Sequence, residues 1–103
     1  MNSKKYVNML GMARRAGKLS MGHDVALTAV KSNKAKLVVF ASDISPRLIS
    51  EFERAANGIP CVRIDETIND IHRFIGYKAG VLTVDDINFS TRILQLIKEE
   101  NLC

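Results

Sequence analysis

A chain of 103 residues sets an expectation of one compact domain, residues 1–103, with a single core. Hydrophobic residues make up 47% and charged residues 25%, a composition that excludes a disordered chain, and no apolar run approaches the ~20 residues of a membrane-spanning helix. The formal net charge of +4 is uneven: residues 1–36 hold eight Lys or Arg against one acid, Asp24, a net of +7, while residues 37–103 are net −3. Such a one-sided basic surface suits a phosphate backbone, and it equally suits a solvated lysine face. The basic start is not followed by the apolar stretch of a signal peptide, so a cytoplasmic protein is expected.

Spacing predicts a first helix over residues 4–16, with Val7, Leu10 and Ala13 inward and Met9, Met12 and Ala16 beside them. Arg14 and Arg15 fall in its last turn, where the helix dipole favours cations, and Gly17 reads as a left-handed cap. Lys18-Leu19-Ser20 leaves room only for a short edge strand. A second helix opens at Gly22 and runs to about Lys31, offering Val25, Ala26, Ala29 and Val30 for packing; residues 32–35 end it. Leu37 to Ala41 is a continuous apolar run, the pattern of a strand buried on both faces.

Ser45 as N-cap and Pro46 at the first helical position start a third helix, with Leu48, Ile49, Phe52, Ala55 and Ala56 inward and Asn57-Gly58 as its stop. A strand over Cys61 to Ile64 follows, then a helix from Thr67 to Ile75 closed by Gly76, and a strand from Gly80 to Val84. Asp85-Asp86 is expected to cap a last helix, to about Glu100, that packs through Ile87, Ile93, Leu94 and Ile97. Alternating helices and strands predict a three-layer α/β/α sandwich around a small sheet, with ligand-binding loops at one end of the strands.

Catalytic and metal chemistry find little support in the residues. Cys61 and Cys103 form no C-x-x-C pair; Cys61 reads as a small core residue and Cys103 as a loose terminal thiol. His23 and His72 lie at no metal-ligand spacing, and the adjacent side chains of His23 and Asp24 are expected to diverge on a helix. No nucleophile elbow and no phosphate-binding glycine loop is present. Asp43, Asp85 and Asp86 follow strands, and helix capping accounts for all three.

Binding chemistry is better represented. Gly22 allows close backbone approach, and the first amides of the helix behind it are free donors of the kind that hold phosphate. Arg14, Arg15 and Lys18 precede that terminus; Lys31, Lys34 and Lys36 follow it. They flank it if the first two helices pack side by side. The loop Gly76-Tyr77-Lys78-Ala79-Gly80 either offers an aromatic on which an unpaired base can stack or folds Tyr77 against the core.

The stretch from Leu10 to Leu19, with Gly22 opening the next helix, resembles the start of short bacterial members of the kink-turn-binding ribosomal protein family, the L-seven-Ae type. Residues Lys34 to Asp43 resemble its central strand and loop, Gly58 to Val62 its next turn and strand, and Ile71 to Gly76 its helix ending in glycine. The resemblance spans residues 4 to about 88. It implies a four-stranded mixed sheet within the α/β/α sandwich. It also implies binding of kink-turns, sharp bends in duplex RNA beside G·A mismatches. The second-helix start, here Gly22 through Thr28, would enter the groove; the loop before the last strand, here Ile75 through Ala79, would hold an unstacked nucleotide. Strong binders carry Asn and Glu two and three residues after the glycine and Lys six after it, where this chain has Asp24, Val25 and Thr28. Asp24 offers no donor, Val25 no polar group and Thr28 no cation.

The expected function is non-catalytic binding of structured RNA, a kink-turn or ribosomal RNA connected with translation, by a monomer without cofactor or metal. Gly22 supplies close approach, and His23 and Asp24 touch base edges or sugars within a contact that also includes Val25 and Thr28. Arg14, Arg15, Lys18, Lys34 and Lys36 contact phosphates. Tyr77 and Lys78, framed by Ile75, Gly76 and Ala79, engage a bulged base. Expected partners are that RNA and the ribosome or its proteins. The first alternative is a protein-interaction or ribosome-assembly module that has lost kink-turn recognition; the second is a small enzyme or nucleotide-binding domain with a strand-end pocket.

Overall fold

Side-chain alternation along two central strands decides the layers. In β2 (Leu37–Phe40), Leu37 and Val39 join one apolar cluster while Val38 and Phe40 join another, and all four are buried. In β4 (Val81–Val84), Leu82 and Val84 go with the first cluster and Val81 with the second. A computed structural model, which describes residues 4–101, shows the helices that cover each face. Over the first lie α1 (Lys5–Arg15), α4 (Ile68–Ile75) and α5 (Ile87–Asn101); over the second lie α2 (His23–Lys31) and α3 (Pro46–Ala56). The short β1 (Leu19–Met21) and β3 (Cys61–Arg63) form the edges of a sheet ordered β1-β4-β2-β3. The β2–β3 pair is parallel and the others antiparallel. The architecture is the expected three-layer α/β/α sandwich with a four-stranded mixed sheet. Cys103, expected as a loose thiol, lies outside the described residues.

Local chemistry sets most boundaries. Helix α1 ends in a Schellman motif: Gly17 at φ 74° donates to Arg14 and Lys18 donates to Ala13. Asn33, at φ 63°, closes α2 in the same way through Val30 and Ala29. Ser45 accepts from the Leu48 amide with Pro46 in the first turn of α3. Thr67 and Asp70 form a capping box at α4, and the hydrogen bonds from Thr67 hold the Asp70 carboxyl below the usual carboxylate range.

Several side chains depart from expectation. Val25, Met12 and Ile87, expected among the packing positions, are all exposed. Helix α2 buries only Ala26, Ala29 and Val30, a narrow stripe that excludes Val25. Tyr6, which the apolar spacing of α1 does not single out, is buried, and its hydroxyl donates to Glu66. Among the three aspartates, only Asp86 caps its own helix, accepting from Phe89. Asp43 caps a distant one, accepting from Ile68 at the start of α4. Asp85 caps nothing: its side chain, 3% exposed, turns inward to accept from Ser20 at 2.6 Å and Thr83 at 2.8 Å. That satisfies two buried hydroxyls on neighbouring strands.

Candidate nucleic-acid interface

At one end of the sheet β1 and β2 finish where β4 begins, since Met21 pairs with Leu82 and Phe40 with Val81. Gly22 leaves β1 there. Its amide donates to the Val81 carbonyl at 3.0 Å, and its backbone turns through φ 99°, ψ 160° into α2. That region is essentially closed to any residue with a Cβ. No side chain caps α2, so its first-turn amides face outward beside the exposed His23, Asp24 and Val25.

Arg14 ties two further segments to this point. Its Nη1 donates to the Ile75 carbonyl at 2.8 Å, and its guanidinium stands 6.0 Å from the centre of the Tyr77 ring. Gly76 sits between them at φ 92°, where a Cβ would lie 2.9 Å from Arg14 Nη1. The Tyr77 hydroxyl lies 3.9 Å from the place a Cβ on Gly22 would occupy. Tyr77 is 46% exposed, so of its two readings the structure takes the outward one. Ile75 and Ala79 are buried and anchor the loop, while Gly76, Tyr77 and Lys78 stand in solvent.

His23 and Asp24 do not diverge. The His23 ring contacts Asp24 through Nδ1 at 3.1 Å and Glu51 of α3 through Nε2 at 2.9 Å, and it packs edge-on against Phe52. The bond to Glu51, with help from Asp24, lifts the imidazole above its ordinary value of 6.5. The Glu51 contact spans 28 residues of sequence, so no local pattern announces it. Thr28 turns its hydroxyl back to the Asp24 carbonyl.

The remaining cations divide. Helices α1 and α2 cover opposite faces of the sheet, so the side-by-side arrangement that would flank Gly22 with every basic residue does not occur. Lys18, Lys34 and Lys36 gather at the finish of β4, one strand length or roughly 10 Å from Gly22. There the Lys18 carbonyl accepts from Asp85, the Lys36 amide donates to Val84, and Lys34 Nζ lies 3.9 Å from Asp85. A groove of about 310 Å³ links the two ends along α2, lined by Asp24, Val25 and Thr28 near its start, Ser32 and Lys34 at its finish, and Ser20 from β1. Arg15, Lys18, Lys31 and Lys78 have no ion-pair partner among the described residues. Also among the described residues, no group of three or more His, Cys, Asp or Glu could hold a metal ion, and no helix is long and apolar enough to cross a membrane.

The fold is an α/β/α sandwich that leaves a glycine-led helix open beside an arginine-tied loop. The chain belongs to the Ribosomal protein L7Ae/L30e/S12e/Gadd45 family, whose model matches residues 4–90. It is 28% identical over 99 residues to the RNA-binding protein YlxQ of Enterococcus faecium, covering 94% of this chain and 95% of that one. It is 27% identical over 100 residues to the YlxQ of Bacillus subtilis (strain 168), covering 94% and 99%. Among solved structures, a protein of unknown function from Bacillus halodurans C superposes with a TM-score of 0.86 at 26% identity, covering 93% of this chain and 99% of that one. The 15.5kD RNA binding protein of Giardia lamblia superposes with a TM-score of 0.74 at 19% identity, covering 100% and 94%, a likeness of fold.

Proposed function

We propose that this protein binds structured RNA of the kink-turn type without catalysing a reaction, as a cytoplasmic monomer connected with translation. The observation that carries this reading is the meeting of Arg14, Gly22 and Tyr77, which puts a cation, open helix amides and an exposed ring on one surface. RNA enters with its sharp bend at Gly22. The open amides and Asp24 meet base edges and sugars, and an unstacked nucleotide lies against Tyr77 and Lys78. The groove along α2 carries one strand toward Lys18, Lys34 and Lys36, whose charges offset the crowded phosphates. The relatives named as RNA-binding proteins support the same reading.

Gel-shift titration of the full chain against a kink-turn and a straight duplex, from low to high salt, tests it. The kink-turn is expected to bind more tightly throughout, with affinity falling linearly on a log–log plot against salt. Equal affinity for both RNAs at every salt concentration rejects kink-turn recognition.

The second reading is a protein-interaction module, favoured by Val25, which is 56% exposed in the groove where strong RNA binders carry Glu. A complex with a ribosome-assembly protein that survives ribonuclease and is lost in Val25→Ser would favour it.

A further inference from the structure

Between α1 and α4 lies a cleft of about 270 Å³ that the interface above does not use, lined by Val7, Asn8, Gly11, Met12, Arg15 and Phe74. Phe74 is 42% and Met12 48% exposed, although the other apolar positions facing this junction, Val7, Leu10, Ile71 and Ile75, are buried. Single exposed apolar residues are ordinary. Two of them share one cleft with two exposed polar side chains, Asn8 and Arg15, a mixed apolar and polar surface.

The polar groups indicate its chemistry. The Asn8 side-chain amide makes no hydrogen bond and Arg15 no ion pair among the described residues. Arg15 folds back over Gly11, its Nη1 3.7 Å from where a Cβ would stand. No Asp or Glu lines the cleft. Arg73, already paired with Asp70 at 2.8 Å, stands 5.0 Å from the centre of the Phe74 ring. A ring to stack on, an amide that both donates and accepts, and an unpaired guanidinium match the base, base edge and phosphate of one nucleotide. At about 270 Å³ the cleft lies near the low end of the ~300–1,000 Å³ of small-molecule sites, the scale of one base and its phosphate rather than of a protein interface. It also adjoins the interface: Arg15 follows Arg14, and Phe74 precedes Ile75, the two residues whose hydrogen bond ties the loop.

We propose that this α1–α4 cleft is a second RNA subsite, which takes one unpaired nucleotide flanking the structured RNA held at Gly22. Phe74 and Met12 bracket the base, Asn8 bonds its edge and Arg15 neutralises its phosphate. The proposal rests on the RNA-binding reading above.

The chain has no tryptophan, so Phe74→Trp places a single fluorophore in the cleft. Three probes are used: hexa-adenylate, a blunt kink-turn duplex, and the same kink-turn with a six-adenosine single-stranded tail. Hexa-adenylate is expected to quench the tryptophan of Phe74→Trp and, in the unmodified chain, to shift the Met12 methyl resonance; the blunt duplex does neither. The tail tightens binding of the unmodified chain about tenfold, the worth of one stacked base. Phe74→Leu loses that gain while keeping its affinity for the blunt duplex, which also shows that it folds. A blunt kink-turn that binds while the tail adds nothing, or an equal gain in Phe74→Leu, overturns the cleft and leaves the interface standing. Hexa-adenylate quenching without any kink-turn binding supports the cleft and rejects the kink-turn reading. Silence from all three probes overturns both. A ribonuclease-resistant protein complex lost in Phe74→Leu, with hexa-adenylate silent, overturns the cleft in favour of a protein occupant.

Discussion

At Gly22 one backbone conformation sets both the turn into α2 and the opening of the proposed contact. Gly22→Ala is expected to destabilise the fold by about 1–3 kcal/mol, because φ 99° with ψ 160° is a conformation held almost only by glycine. Urea unfolding measures it, and a change below a few tenths of a kcal/mol would show that the turn relaxes. His23 gives a second residue-scale test. Its folded value lies above the unfolded 6.5, so the stabilisation it contributes is fully present below about pH 6.5 and fades as pH rises through the folded value. Glu51→Gln removes the larger cause and should bring the imidazole titration, followed by NMR, toward 6.5. An unchanged titration would mean that Asp24 alone sets it.

The elements meet at Asp85. This carboxylate joins the end of β4 to Ser20 of β1, its own strand's Thr83 and Lys34 beyond α2. Asp85→Ala leaves two buried hydroxyls without an acceptor and should destabilise by about 1–3 kcal/mol. Asp86→Ala removes one helix cap and should cost about 1 kcal/mol. Chemical denaturation of the two variants measures both, and an Asp85→Ala loss well below that of Asp86→Ala would refute the inward role of Asp85. The same element shows where sequence reading stops. Both aspartates stand where a cap is expected, and only the cross-strand register Ser20 opposite Thr83 turns Asp85 inward.

Over the whole molecule, the basic third of the sequence does not become one patch. Arg14 reaches the Gly22 end and three lysines stand at the other, because Lys18 precedes β1 and α2 carries the chain back along the sheet to Lys34 and Lys36. The long groove between these ends lacks the polar and cationic groups that the family resemblance implies for strong binders. Restoring them together, Asp24→Asn, Val25→Glu and Thr28→Lys, should raise kink-turn affinity at least about tenfold, since each good polar contact is worth roughly 1–3 kcal/mol. Each of these side chains is exposed, so the stability cost should be small, its main source the loss of the Asp24 carboxylate beside His23. A gel shift no tighter than that of the unmodified chain would place the RNA elsewhere.

The sequence by itself determined the element order, nearly every cap and the central strands, because hydrophobic period, glycine at positive φ and capping chemistry are local properties of the chain. It also located Gly22 and the Gly76–Gly80 loop as candidate sites. Only the tertiary structure decided that Arg14 holds that loop, that His23 is tied to Glu51, that Val25, Met12 and Ile87 face outward, and that Lys18, Lys34 and Lys36 meet at the finish of β4. These facts depend on which face of the sheet each helix crosses to and on contacts between residues far apart in the chain, and neither leaves a periodic trace in the sequence.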